Sequence, residues 1–235
     1  MLELINYSKT YSNNKGAKNI SLKVDSGDIF AFIGHNGAGK STTIKSIVGV
    51  NDIQSGDILI DNISMKTNPL QAKKLFAYVP DNPDIYESLT GVQYLDFIAK
   101  IYKVDIETLK TLTEKYARAL DLYDDLTSPI STYSHGMKQK LVIISALIHK
   151  PKLLILDEPF VGLDPKASFA VKNIMKEFVN NGGAIFFSTH VLEVAEKLCN
   201  KVSIIKNGEI IKQGTMEEIK QDKSLESVFL ESENE

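Results

Sequence analysis

The chain has one cysteine, Cys199, in 235 residues. It can form no internal disulfide, and a reducing compartment is the reading that follows. It has no basic surplus either. Against 30 aspartates and glutamates stand 27 lysines and arginines, a formal charge of −3. That is the wrong sign for a surface built to meet phosphate backbones, so nucleic acid is not expected as a partner. Long apolar runs are absent: the longest, "LVIISALI", falls well short of the roughly 18 residues of a membrane-spanning helix. The opening residues, "MLELINYSKT", show no basic stretch followed by an apolar one, so no export signal is read there. These absences point to a cytoplasmic chain that would meet a membrane only through a partner.

What is present is an ordinary globular composition, 43% hydrophobic and 24% charged, with length for one substantial core or a core with an inserted lobe. Short strands are predicted at "LELINY", "AKNISLKVDSG", "DIFAFIG" and "SGDILIDN", with a polar loop "SNNKG" after the first. From Gly91 to Leu126 the spacing is helical, with apolar residues at 92, 95, 98 and 101/102, then at 109, 112, 116 and 120. "LLILD" and "AIFFSTH" are near-continuous apolar runs of the kind found in covered parallel sheets, and "KASFAVKNIMKEFVNN" between them reads as a crossover helix. "VSIIKNGEIIKQG" is a hairpin turning at Asn207-Gly208. The tail from Met216 reads as a polar helix that frays. The fold is therefore α/β: a parallel core from residues 1–80 and 150–235, edged by antiparallel strands and interrupted at 81–149 by a helical lobe.

"GHNGAGKS", Gly34 to Ser41, follows an apolar strand and opens a helix, the setting that G-x-x-x-x-G-K-[ST] requires. Its glycines let successive backbone N–H groups turn inward, and the helix adds its positive end. Lys40 offers a cation to β and γ phosphates, and Ser41 a hydroxyl to Mg²⁺. "LLILDEP" ends a strand in two carboxylates: Asp157, placed to hold water on Mg²⁺, and Glu158, placed to polarise an attacking water. "STH" puts His190 at the same sheet edge, where such folds bind ligands. Upstream of these, "YSHGM" is a second small polar turn that opens a helix.

In this order the motifs resemble the ATP-binding subunit of ABC transporters over essentially the whole chain. Walker A is "GHNGAGKS", the degenerate signature "YSHGM", Walker B "LLILDE", the D-loop "VGLD" and the switch histidine His190. The resemblance implies a P-loop NTPase core with a RecA-like parallel sheet, an antiparallel β subdomain and an inserted α-helical subdomain that carries the signature. It implies ATP and Mg²⁺ as cofactors and a head-to-tail dimer, homodimeric or heterodimeric. Each ATP would lie between Gly34, Asn36, Gly37, Ala38, Gly39, Lys40, Ser41 and Thr42 of one subunit and Ser134, His135, Gly136 and Met137 of the other. Tyr11 would stack on adenine, Glu158 act as base, Asp157 and Ser41 hold the metal, His190 sense the γ-phosphate, and Asp164 touch the partner ATPase.

Two positions depart from the family's pattern. Asp81 stands where a glutamine is usual, and its carboxylate offers the metal a hard oxygen or a coupling contact. His135 replaces a glycine of the signature; it faces either solvent or phosphate. The segment "YVPDNPDIYESLTGVQYLDF" looks like the subgroup paired with ABC-2-type membrane subunits, many of them exporters. The expectation is an ATPase that drives a transporter through a separate integral membrane subunit, peripheral on the inner face of the membrane. A soluble ABC ATPase of DNA repair or translation is the alternative. A GTPase would want N/T-K-x-D, and "NKVS" at Asn200 lacks the aspartate.

Overall fold

The computed structural model describes residues 1–12 and 15–234. Asn13 and Asn14, the middle of the expected polar loop, lie outside the described residues, as does Glu235. The chain forms two compact units, one of residues 1–78, 152–158 and 178–235, the other of 79–151 and 159–177. The expected boundaries had kept 159–177 with the core; that segment groups with the helical unit instead.

In chain order the elements begin with β1 (Leu2–Thr10), β2 (Gly16–Val24), β3 (Ile29–Ile33), α1 (Lys40–Ile47), β4 (Ser55–Ile60), β5 (Ile63–Ser64), α2 (Pro69–Ala72) and β6 (Phe76–Val79). The helical unit supplies α3 (Gly91–Tyr102), α4 (Ile106–Ala119) and α5 (His135–Ile148). Then come β7 (Leu153–Asp157), α6 (Pro165–Asn180), β8 (Ala184–Thr189), α7 (Leu192–Leu198), β9 (Lys201–Lys206), β10 (Glu209–Thr215), α8 (Met216–Lys220) and α9 (Leu225–Asn234).

The first unit holds two sheets. One runs β2-β1-β4-β5, with antiparallel pairs throughout; the other runs β10-β9-β3-β8-β7-β6. In the second sheet β9, β3, β8 and β7 are parallel, and β10 returns antiparallel through the Asn207-Gly208 turn. Both turn residues have left-handed φ, 52° and 90°, the tight hairpin geometry that an Asn-Gly pair accommodates. Every residue of β3, β7 and β8 is buried, which is why these strands read as continuous apolar runs. Phe186 of β8 packs on Phe30 and Phe32 of β3, with ring centroids 5.8 and 5.4 Å apart. Asn200, the residue of the "NKVS" stretch, instead ties the start of β3 to the start of β9: its Oδ1 accepts from Ile29 N–H and its amide donates to Asp28, both at 2.8 Å.

Two features differ from the sequence reading. In α3 the buried residues are Gly91, Tyr94, Leu95 and Ala99, whereas Val92 and Ile101 of the expected face are exposed. Gln93, Asp96 and Lys100 mark the polar face of the helix, opposite the buried residues, and leave only the finer rotation to packing. A close approach settles it: a Cβ on Gly91 would stand 2.6 Å from the Tyr133 hydroxyl. The tail also does better than a fraying helix. A capping box at Thr215 and Glu218 starts α8, and Leu225, Val228 and Phe229 of α9 are buried.

In the helical unit, the imidazole of His149 stacks flat on Tyr102, centroids 3.8 Å apart and planes 8° from parallel. Burial lowers its pKa from 6.5 to about 4, so the neutral ring is the folded form. A folded pKa below the unfolded one gives stability that is complete above pH 6.5 and lost as pH falls through about 4. Replacing His149→Phe keeps the stacking and removes the titration. Between those two pH values, urea titrations should show the wild type losing up to about 3 kcal/mol more than the variant. Parallel losses would mean that His149 does not titrate in this window.

Candidate nucleotide-binding site

The phosphate-loop motif lies where β3 hands over to α1. Gly39 sits at the N-cap of α1 with φ 115°, and a Cβ there would come within 2.5 Å of the Gly16 carbonyl, so only glycine fits. The loop is held from behind by Gly208 N–H, which donates to Ala38 O at 2.8 Å. A cleft of about 300 Å³ opens over it, lined by Tyr11, Lys15, Gly16, His35, Asn36, Gly37, Gly39, Lys40, Ser41 and Thr42. Gly34 and Ala38 do not line this cleft; both are buried. Lys15 and Gly16 were not singled out from sequence, because they act through the fold of a remote loop rather than through the motif.

Lys40 is buried, and its ammonium donates to the carbonyls of Gly34 at 2.5 Å and His35 at 3.2 Å. Burial lowers its pKa, while the negative charges of Glu158 and Asp157 oppose that shift. The acids come to the loop through sheet register. Ile33 at the end of β3 pairs with Thr189, and Asp157 at the end of β7 pairs with the preceding Ser188. Phosphate loop, carboxylates and histidine therefore leave the sheet at one edge.

Asp157 is buried and accepts a hydrogen bond from the Ser188 hydroxyl, a support that sequence reading missed although it stands two residues before His190. Glu158 adopts a left-handed φ of 49°, uncommon for a residue with a Cβ, and its N–H donates to Ser188 O at 3.2 Å. The turn carries its carboxylate to His190, whose Nδ1 lies 2.9 Å from Glu158 Oε1.

The helical unit carries the remaining motif residues. Ser134 is the N-cap of α5, and its hydroxyl oxygen accepts from Met137 N–H at 3.2 Å. His135 and Ser134 are exposed, and Met137 is half-buried at the helix start. The His135 ring lies against Gly162 of the D-loop, and a Cβ on Gly136 would meet Gly162 O at 2.6 Å. Lys140 of α5 pairs with Asp164 at 3.7 Å, and Asp164 Oδ1 caps α6 by accepting from Ala167 N–H at 2.8 Å. That N–H bond holds the Asp164 carboxyl below the usual carboxylate range. Asp81 is exposed, with Oδ1 accepting from Asn82 N–H at 2.8 Å.

A glycine-rich loop, a buried lysine and paired acids at the ends of parallel strands define a nucleoside triphosphate-binding α/β protein. The family model for ABC transporters matches residues 17–161. The ABC-type transporter ATP-binding protein EcsA of Bacillus subtilis is 35% identical, covering 94% of this chain and 92% of its own length. The linearmycin resistance ATP-binding protein LnrL of the same organism is 34% identical over 92% of this chain and 69% of its own. A solved ATP-binding subunit of an ABC transporter superposes with a TM-score of 0.95 at 35% identity, covering 99% of both chains. The chain belongs to the ABC transporter family, as an ATP-binding subunit with ATPase activity.

Gly162 has φ 77°, and a methyl there would also overlap His135 Cδ2. Gly162→Ala should therefore cost about 1–2 kcal/mol in denaturant unfolding. Adding His135→Gly should recover the steric part and leave the backbone part. If the second substitution recovers nothing, the ring is not what the methyl meets.

Proposed function

We propose that the chain works as one half of a pair of ATP-binding subunits, identical or not. Each ATP would be clasped between the Lys40 cleft of one subunit and the Ser134 turn of the other. One observation carries this reading: α1 and α5 both begin at anion-suited turns, yet they belong to different compact units of the chain. ATP closes the pair, hydrolysis reopens it, and the motion drives a separate integral membrane subunit from the cytoplasmic face, in the direction of export. The segment that resembles ABC-2-type partners, and the likeness to a resistance protein, support that direction.

Ser41 and Asp157 supply hard oxygens of the kind that hold Mg²⁺ beside phosphates. Magnesium, when bound, neutralises charge developing on the transferred phosphoryl group. Lys40 moves from the loop carbonyls to the β and γ phosphates. Glu158 takes a proton from the attacking water, and His190 holds that carboxylate in place and meets the γ-phosphate. Tyr11 stacks on adenine, and Asp164 meets the other subunit. Asp81 keeps a metal or coupling role through the oxygen not turned to Asn82.

Glu158→Gln should bind ATP normally and hydrolyse it at least about 100-fold more slowly, measured by phosphate release; retained turnover would remove Glu158 as the base. Asp81→Ala should lower hydrolysis stimulated by the membrane subunit; unchanged stimulation would end that role. Affinity capture from membranes should bring down a multi-span protein, and reconstituted inside-out vesicles should accumulate its cargo with ATP. Hydrolysis stimulated by nucleic acid, with no membrane protein captured, would overturn the transport reading.

A further inference from the structure

Tyr11 is 46% exposed, yet its ring is held in place through its hydroxyl. Its hydroxyl accepts a hydrogen bond from Asn51 Nδ2 at 3.2 Å. Asn51 is anchored to the far end of α1: its own N–H and that of Val50 both donate to Lys45 O, at 3.0 and 2.8 Å. Nearby, Gln54 Oε1 accepts from Thr10 N–H at 2.8 Å and from the Thr10 hydroxyl at 3.3 Å. Residues 51–54 therefore strap the end of β1 at the point where Tyr11 lines the cleft.

We propose that Asn51 is a positioning residue for the nucleobase, holding the Tyr11 ring as a ready platform beside the phosphate loop. The proposal rests on the reading of Tyr11 as the base-stacking residue. The physical reason is preorganisation. A free tyrosine ring on a surface samples several rotamers, and a stacked base must end that freedom at a cost to affinity. The Asn51 bond restricts the ring before nucleotide arrives. It also refers both halves of the site to one rigid element, since α1 carries Lys40 at its start and Asn51 just past its end. Spacing between phosphate cradle and base platform is then set by a single helix. The ligand class is a nucleoside triphosphate whose base has an open π-face.

Calorimetric titration with the imido analogue of ATP, which is not hydrolysed, and with inorganic tripolyphosphate, which has no base, tests this. Asn51→Ala and Tyr11→Phe each remove the same hydrogen bond. Each should weaken the analogue by about three- to tenfold and leave tripolyphosphate unchanged, and the double variant should bind no worse than either single one. Equal losses for tripolyphosphate would make Asn51 a general support of the fold and overturn the proposal. So would effects that multiply in the double variant, or an unchanged Asn51→Ala alongside a weakened Tyr11→Ala. If Tyr11→Ala itself binds the analogue normally, the stacking role of Tyr11 falls, and that of Asn51 with it.

Discussion

The common register of three parallel strands is the constraint on which the rest of the site depends. β3, β8 and β7 are hydrogen-bonded side by side so that Ile33 meets Thr189, and Asp157 meets Ser188. A slip of one residue in any of these pairings would turn each side chain to the opposite face of the sheet. It would move the carboxylates away from Lys40 and the histidine away from Glu158. The register is held by complete burial of all three strands and by the packed rings of Phe30, Phe32 and Phe186. Chemistry at the edge is therefore fastened by packing in the middle.

At that edge the charges are arranged to oppose one another. Lys40 is buried deeply enough for its charge to be disfavoured, yet two carboxylates and two loop carbonyls favour it. Asp157 is buried with a serine hydroxyl as donor, and Glu158 is bent out of the strand by a left-handed turn that a non-glycine residue adopts only under constraint. In the helical unit a second set of contacts joins the signature turn to the D-loop through His135, Gly136 and Gly162. The histidine that departs from the family's glycine thus lies against the D-loop backbone, an arrangement that spacing along the chain did not suggest.

Much of this was legible in the sequence because the motifs are local. The phosphate loop, the acidic strand end, the Ser134 cap and the Asn207-Gly208 turn are each specified by a few adjacent residues whose backbone demands are strict. The buried parallel strands announced themselves as unbroken apolar runs. Less was legible where a residue acts at a distance. Gly16 lies against Gly39, Ser188 serves Asp157, and Asn51 reaches Tyr11 across a separation that no periodicity marks. The rotation of α3 was misread at Val92 and Ile101, which only flank the buried face that lies opposite Gln93, Asp96 and Lys100. The tail was misread because its buried residues are few and meet partners from other elements.

By itself, the sequence determined where the glycine-rich loop and the helix caps form and which strands must be buried, since glycines, cap residues and apolar runs impose those outcomes through local sterics and hydration. The tertiary structure decided which of these pieces share an edge, which face of each helix is covered and which side chains support the site. Those choices rest on strand register and on close packing between segments far apart in the chain, and neither is written in any short stretch of it.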